Sequence, residues 1–182
     1  MAIIILTFKS CKKETSLYDL FPLKVGNEFY YSYTYHYNHG WPGREKKANG
    51  KRKWTILTDS LKNNSVEYTF EEKYNGVEIN TINFPATVVD TIIIIDSVRY
   101  FTVIEDNSGQ LSFWNLNTTW NITLQRFQKE SDVVIHNWSG SNYQRDYQFH
   151  ANKGLVSFIN GKGPNIGQYS ESYDLDSVKL IH

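Results

Sequence analysis

His36 and His39 stand three residues apart, a spacing at which two imidazoles can converge on one metal ion when the backbone is helical. Here His36 ends an alternating run and His39 falls in the polar stretch beyond it, with no carboxylate beside them to complete three or four ligands. Paired carboxylates are the other common machinery. Glu67, Glu71 and Glu72 lie close together, and Glu67 and Glu71 share a parity. Four residues of extended chain separate those two by roughly 13 Å, more than either glycosidase geometry uses. Glu67 and Glu71 are therefore read as a solvated outer face. Asp146, His150 and any of several serines supply the residue types of a hydrolytic triad, but no G-x-S-x-G elbow is present. Asn160-Gly161-Lys162-Gly163 lacks the phosphate-loop spacing and reads as a loop. A single cysteine, Cys11, excludes an intrachain disulfide and any cysteine-based zinc site. These residues point away from an enzyme, and no catalytic residue, metal or cofactor is expected.

Aromatic side chains are the stronger candidates for binding. Among five tryptophans, Trp41 follows His39-Gly40 in a loop, Trp114 has the parity opposite to Leu111 and Phe113, and Trp138 precedes Ser139-Gly140-Ser141. Loop tryptophans with amide neighbours can stack on sugar rings, so Trp41, Trp114 and Trp138 are taken as a candidate glycan site. A second candidate is an apolar cavity lined by Tyr31, Tyr33, Tyr35, Phe70 and Phe149, which would suit a lipid. The same residues make an ordinary core, and that assignment is preferred.

The elements that must carry these residues are strands. The chain has 182 residues with 13 Tyr, 10 Phe and 5 Trp and only one Met, a composition that fits pleated, half-buried surfaces better than helices. Phe29, Tyr31, Tyr33, Tyr35 and Tyr37 fall on every second residue, the period of a strand with one covered face. Val66, Tyr68 and Phe70 repeat it, as do Tyr147 with Phe149, Trp120 with Ile122 and Leu124, and Tyr173 with Leu175. Asn75-Gly76 is the favoured pair for a type I′ hairpin turn, and Asp106 to Gly109 and Asn160-Gly161 are further turn signals. Gly40 to Lys53, rich in lysine and arginine, reads as a solvated hairpin loop, with docking of an acidic partner as the alternative. Val88 to Ile95 is nearly all apolar and reads as a strand buried on both faces. Thr15 to Phe21 could form one helical turn before Pro22. Roughly ten to twelve strands are expected. The fold class is all-β, an antiparallel sheet curved into a barrel, half-barrel or sandwich.

Charge narrows the partners. Nineteen basic and nineteen acidic side chains cancel, which removes the electrostatic footprint of a nucleic-acid binder. No apolar run approaches the ~20 residues that a membrane-spanning helix needs.

The N-terminus carries an address. Ala2 to Phe8 is apolar apart from Thr7, and Ser10 precedes Cys11. An apolar stretch, a small residue and then the only cysteine resemble the lipobox of bacterial lipoproteins, in which the cysteine is lipidated. Phe8 and Lys9 depart from that pattern, and no basic segment precedes the apolar run. Phe21-Pro22-Leu23-Lys24-Val25-Gly26-Asn27 before an aromatic strand, and Lys153-Gly154-Leu155-Val156-Ser157 near the end, resemble segments of uncharacterised cell-envelope lipoproteins of the Bacteroidetes. Four triplets beginning Asp59, Asp90, Asp96 and Asp176 resemble the Asp-Ser/Thr-apolar O-glycosylation site of such proteins. The resemblance implies residues 1–14 as signal or lipid-anchor segment and tether, and 15–182 as a single all-β domain. It implies a lipid-anchored protein of the bacterial cell envelope, at the periplasmic or outer-membrane surface; a glycan, lipid or protein partner is expected from the aromatic residues and the curved sheet. Several acyl chains on one residue would hold such a domain stably, at ~0.8 kcal/mol per buried methylene.

Overall fold

A computed structural model describes residues 16–38, 43–84, 87–114, 122–136, 143–162 and 168–181. Among the described residues there are twelve strands: β1 Tyr18–Asp19, β2 Glu28–Asn38, β3 Arg44–Lys62, β4 Ser65–Phe84, β5 Thr87–Glu105, β6 Gln110–Trp114, β7 Thr123–Gln125, β8 Phe127–Gln128, β9 Asp132–His136, β10 Tyr143–His150, β11 Gly154–Lys162 and β12 Gln168–Lys179. The described residues contain no helix. The single turn expected over Thr15 to Phe21 is replaced by β1, whose Tyr18 and Asp19 pair with Gln128 and Phe127 of β8.

Ten strands form one antiparallel sheet in the order β7-β6-β5-β4-β3-β2-β12-β11-β10-β9. The sheet curves strongly and does not close. Phe113 of β6 and Phe149 of β10 come from strands near opposite ends of it, yet their ring centroids are 6.3 Å apart. The expected all-β curved architecture is the one observed.

The core fills one end of the curve. Phe29, Trp54, Ile56, Phe70, Phe101, Val103, Leu111, Phe149 and Leu155 are all buried there. Leu20 and Phe21, just after β1, close this end. Phe21 stacks on Phe29 at 5.4 Å and meets Phe70, Phe113 and Phe149 within about 6 Å. Arg126 fastens the segment by pairing with Asp19 at 3.0 Å and Glu105 at 2.8 Å. The Asn27 side chain does the same at the other side, donating to the Pro22 carbonyl and accepting from the Ile181 amide.

β3, β4 and β5 extend well beyond the core. Three expectations fail here. Arg44 to Lys53 is strand, not loop, because its cations meet carboxylates on nearby strands, Lys46 with Glu78, Lys51 with Asp176 and Lys53 with Glu28. Asn75-Gly76 lies inside β4, not at a turn. Gly50 faces Gly76 directly, and the only described glycines with positive φ are Gly26, Gly109 and Gly154. Val88 to Ile95 is not buried on both faces: Val88 is 65% exposed and Ile94 83%, and among the described residues β6 pairs with β5 from Thr102 to Glu105. Asn160-Gly161 also lies within a strand, β11. The turn at Asp106 to Gly109 forms as expected between β5 and β6. The tight turn between β3 and β4 is made by Asn63 and Asn64, with φ of 48° and 65°, the signature of a type I′ turn.

Candidate functional site

The alternating aromatics of β2 set up the site. Register across the sheet places Phe29 beside Trp54, Tyr31 beside Arg52, Tyr33 beside Gly50 and Tyr173, and Tyr35 beside Ala48 and Glu171. All lie on the concave face. Along β2 the side chains change from Phe to Tyr and from fully buried to half-buried, so the concavity passes from apolar core to polar mouth. Tyrosine suits that gradient, since its ring packs while its hydroxyl reaches the wet end.

The transition holds a buried charge network. Glu72 has no exposed surface, and its Oε1 accepts a 2.6 Å bond from Arg52 Nη1. Its other oxygen accepts from Arg99 Nε. Burial pushes the Glu72 carboxyl up, but the two guanidiniums together outweigh it and hold the group below the usual carboxylate range. Burial works against the Arg52 charge too, and the surrounding tyrosines and Glu72 more than offset it. The Arg52 guanidinium sits 3.9 Å from the Tyr33 ring centroid and 4.8 Å from those of Tyr74 and Tyr173. Three ring faces around one cation spread its charge over π-density in place of water.

Above this network opens a cavity of about 500 Å³. Tyr33, Tyr35, Tyr74, Arg52, Lys46 and Glu78 contribute to its wall, with Ala48, Ile95 and Arg99. Lys46 pairs with Glu78 at 2.7 Å at the exposed rim. Tyr74 lies over the facing glycines. A Cβ built on Gly76 would stand 2.5 Å from the Tyr74 hydroxyl, and one on Gly50 2.6 Å from its ring. The two glycines thus make room for the tyrosine that forms this wall. The Tyr74 hydroxyl, the Tyr31 hydroxyl and Arg52 Nε are buried polar atoms with no hydrogen-bond partner among the described residues. Burial, followed by the Glu171 carboxylate, raises the Tyr33 phenol well above its ordinary value, so it stays a neutral donor.

The residues singled out from the sequence are placed unevenly. Cys11, Trp41 and Trp138 lie outside the described residues, as does His39. The backbone of Trp114 pairs with Thr102, and its side chain lies outside the description. Of the proposed lipid cavity, Tyr31, Phe70 and Phe149 are fully buried core, while Tyr33 and Tyr35 line the mouth. Glu67 and Glu71 form ion pairs with Lys62 and Lys73 on the outer face. Glu72, by contrast, has the inward parity of Phe70 and Tyr74, and two arginines compensate it there. His36 meets Glu45 at 2.7 Å, His136 meets Asp146 at 2.8 Å and His150 meets Asp132 at 3.3 Å, so no described serine is activated by the imagined triad. Among the described residues no three His, Cys, Asp or Glu side chains gather as a metal site. Ser60, Thr91, Ser97 and Ser177, the hydroxyl residues of the four Asp-Ser/Thr triplets, are all exposed and all lie within strands.

Sequence reasoning missed Arg52, Glu72, Arg99 and Tyr74 as site residues. A signal for Glu72 was available in its parity with Phe70. None was available for Arg52, which sits inside a run of basic residues. No protein-family model matches the chain, and no curated protein or solved structure shows significant similarity to it.

Proposed function

We propose that this protein is a noncatalytic binding module that takes a neutral, hydroxyl-rich ligand, a glycan, into the tyrosine-lined mouth of its curved sheet. The reading is carried by the cavity of about 500 Å³ whose wall holds buried, unsatisfied donors at Tyr74 and Arg52 beside the Tyr33 and Tyr35 rings. An unpaired buried donor costs about 1–3 kcal/mol, which a ligand oxygen would relieve. Ring faces supply the apolar surface on which a sugar's C–H groups stack. Arg52 and Arg99 share the single Glu72 carboxylate and Lys46 is matched by Glu78, and the Glu171 carboxylate, which acts on Tyr33 and Tyr35, brings the mouth to charge balance. An anionic ligand would meet no net positive charge there.

A hydrolase is the less favoured reading. A glycosidase acid must stay protonated near neutral pH. Glu72 and Glu78 are both held below the usual carboxylate range: burial raises each, but the pairing arginines outweigh it at Glu72, as do the Lys46 and Asn80 hydrogen bonds at Glu78.

The site is tested by titrating neutral oligosaccharides calorimetrically against the wild type, Tyr35→Ala and Trp41→Ala. Loss of at least about tenfold in affinity, the equivalent of ~1.4 kcal/mol, is expected for Tyr35→Ala and not for Trp41→Ala. The reverse pattern would move the site to the tryptophans.

The cellular address is part of the same proposal: the module is tethered to the bacterial cell envelope by lipid on Cys11. Replacing Cys11 with Ala is expected to shift the protein from the membrane to the soluble fraction. Unchanged membrane retention would end that reading.

A further inference from the structure

We infer that two copies of this chain pair edge to edge through the free part of β5, Thr87 to Tyr100, across a two-fold axis at Ile94. Among the described residues no strand pairs with β5 on that side before Thr102. The free stretch is some 40 Å long at roughly 3.3 Å per residue. The two terminal strands of the sheet are short by comparison: β7 has 3 residues and β9 has 5.

Folded proteins normally blunt an exposed edge with lysine, proline or a bulge. This edge has none of them. From Thr87 to Val98 there is no Lys, Arg, Pro or Gly, and the register against β4 runs without a shift from Glu105 to Thr87. Val88, Ile92, Ile94, Val98 and Tyr100 share one face and are each at least 50% exposed. Such a strand is a template for another strand, and its composition selects which.

The occupant that fits is the same segment of a second molecule. A two-fold axis perpendicular to the sheet keeps like faces together, so only residues of equal parity can oppose each other. An axis at Ile93 would set Asp90 against Asp96 on both sides. An axis at Ile95 would set Ile94, the most exposed apolar residue of the stretch, against Asp96. An axis at Ile94 places Ile94 on Ile94, Ile93 on Ile95, Thr91 on Ser97 and Val88 on Tyr100. No carboxylate then faces a carboxylate, and Ile94, 83% exposed alone, gains a neighbour. Apolar pairs and the Thr–Ser pair are the cross-strand combinations that stabilise an antiparallel ladder. Backbone hydrogen bonds give such a contact its strength, and the side-chain register gives it identity.

The test is sedimentation of the full chain over a micromolar dilution series. A monomer–dimer equilibrium is expected for the wild type. Ile94→Lys should weaken it at least tenfold by setting two ammonium groups face to face. Ile94→Glu should do the same, and an equimolar mixture of the two variants should recover the dimer. Because Ile94 is exposed, both variants should keep the wild-type circular dichroism. A wild type that stays monomeric throughout the series overturns the inference. So does a dimer that Ile94→Lys leaves intact, or one that the mixture fails to restore.

Discussion

At the scale of single residues, the position that matters most is Glu72. It is a carboxylate without exposed surface, made tolerable by guanidiniums from two neighbouring strands. Removing one partner of a buried charge network leaves the others uncompensated. Glu72→Gln is therefore expected to cost about 3–5 kcal/mol in urea unfolding, with Arg52 left among its rings. The same carboxylate makes the fold sensitive to acid. Its pKa is lowered on folding, so its contribution is fully present above the ordinary carboxylate range and is lost as pH falls through the folded value. Glu28 acts in the same direction at the surface: hydrogen bonds from Lys53 and then Tyr30 hold its pKa at about 2. Stability should therefore decline from about pH 4.5 toward pH 2, and Glu72→Gln should flatten that decline. A wild-type midpoint that stays level over this window would contradict the argument.

At the scale of elements, the long β3–β4 hairpin depends on two kinds of small residue. Its turn places Asn63 and Asn64 at positive φ, which asparagine tolerates and a β-branched residue does not. Asn64→Val should cost about 1–2 kcal/mol in chemical unfolding. Its middle needs Gly50 opposite Gly76, because the Tyr74 ring and the facing backbone occupy the space of both Cβ atoms. The second close approach joins the two segments that carry the sequence resemblance. Gly154, at φ +79°, lies against the Phe21 ring, and a Cβ there would stand 2.6 Å from it. Phe21 follows β1 and Gly154 begins β11, so these separated motifs form one contact at the closed end. Gly154→Ala is expected to cost about 1–3 kcal/mol, measured by thermal unfolding, through overpacking against Phe21.

At the scale of the whole molecule, one sheet is divided into two ends with different physics. The closed end has Phe29, Phe70, Phe113 and Phe149 packed around Phe21, and the open end has tyrosines, ion pairs and, among the described residues, an unpartnered edge. Hydrogen exchange should report this division. Amides of Phe101 to Glu105 in β5 should exchange slowly, since β4 and β6 flank them. Amides of the free stretch that point away from β4 should exchange fast in dilute protein and slow as concentration rises, in keeping with edge pairing. Uniform protection along β5 at every concentration would show that its edge is already covered within one molecule.

Much of this architecture was legible before any coordinates. Two-residue periodicity in Phe29 to Tyr37 and in Val66 to Phe70 dictates extended backbone and assigns each side chain to a face, because alternation is a local property of the strand. The Asp106 to Gly109 turn is local in the same sense. Strand length is not. Asn75-Gly76 is a turn dipeptide that stays extended because Gly50 faces it and Tyr74 covers it, and both partners are set by tertiary register. Burial of Glu72 likewise rests on Arg52 and Arg99, which only the pairing of β3, β4 and β5 brings to it. The basic run of β3 looked like a loop until its neighbouring carboxylates were in place. The apolar run of β5 looked like an interior strand because its composition matches one. What leaves it exposed is that no described element packs over its outer face, a fact about its neighbours and not about the strand itself.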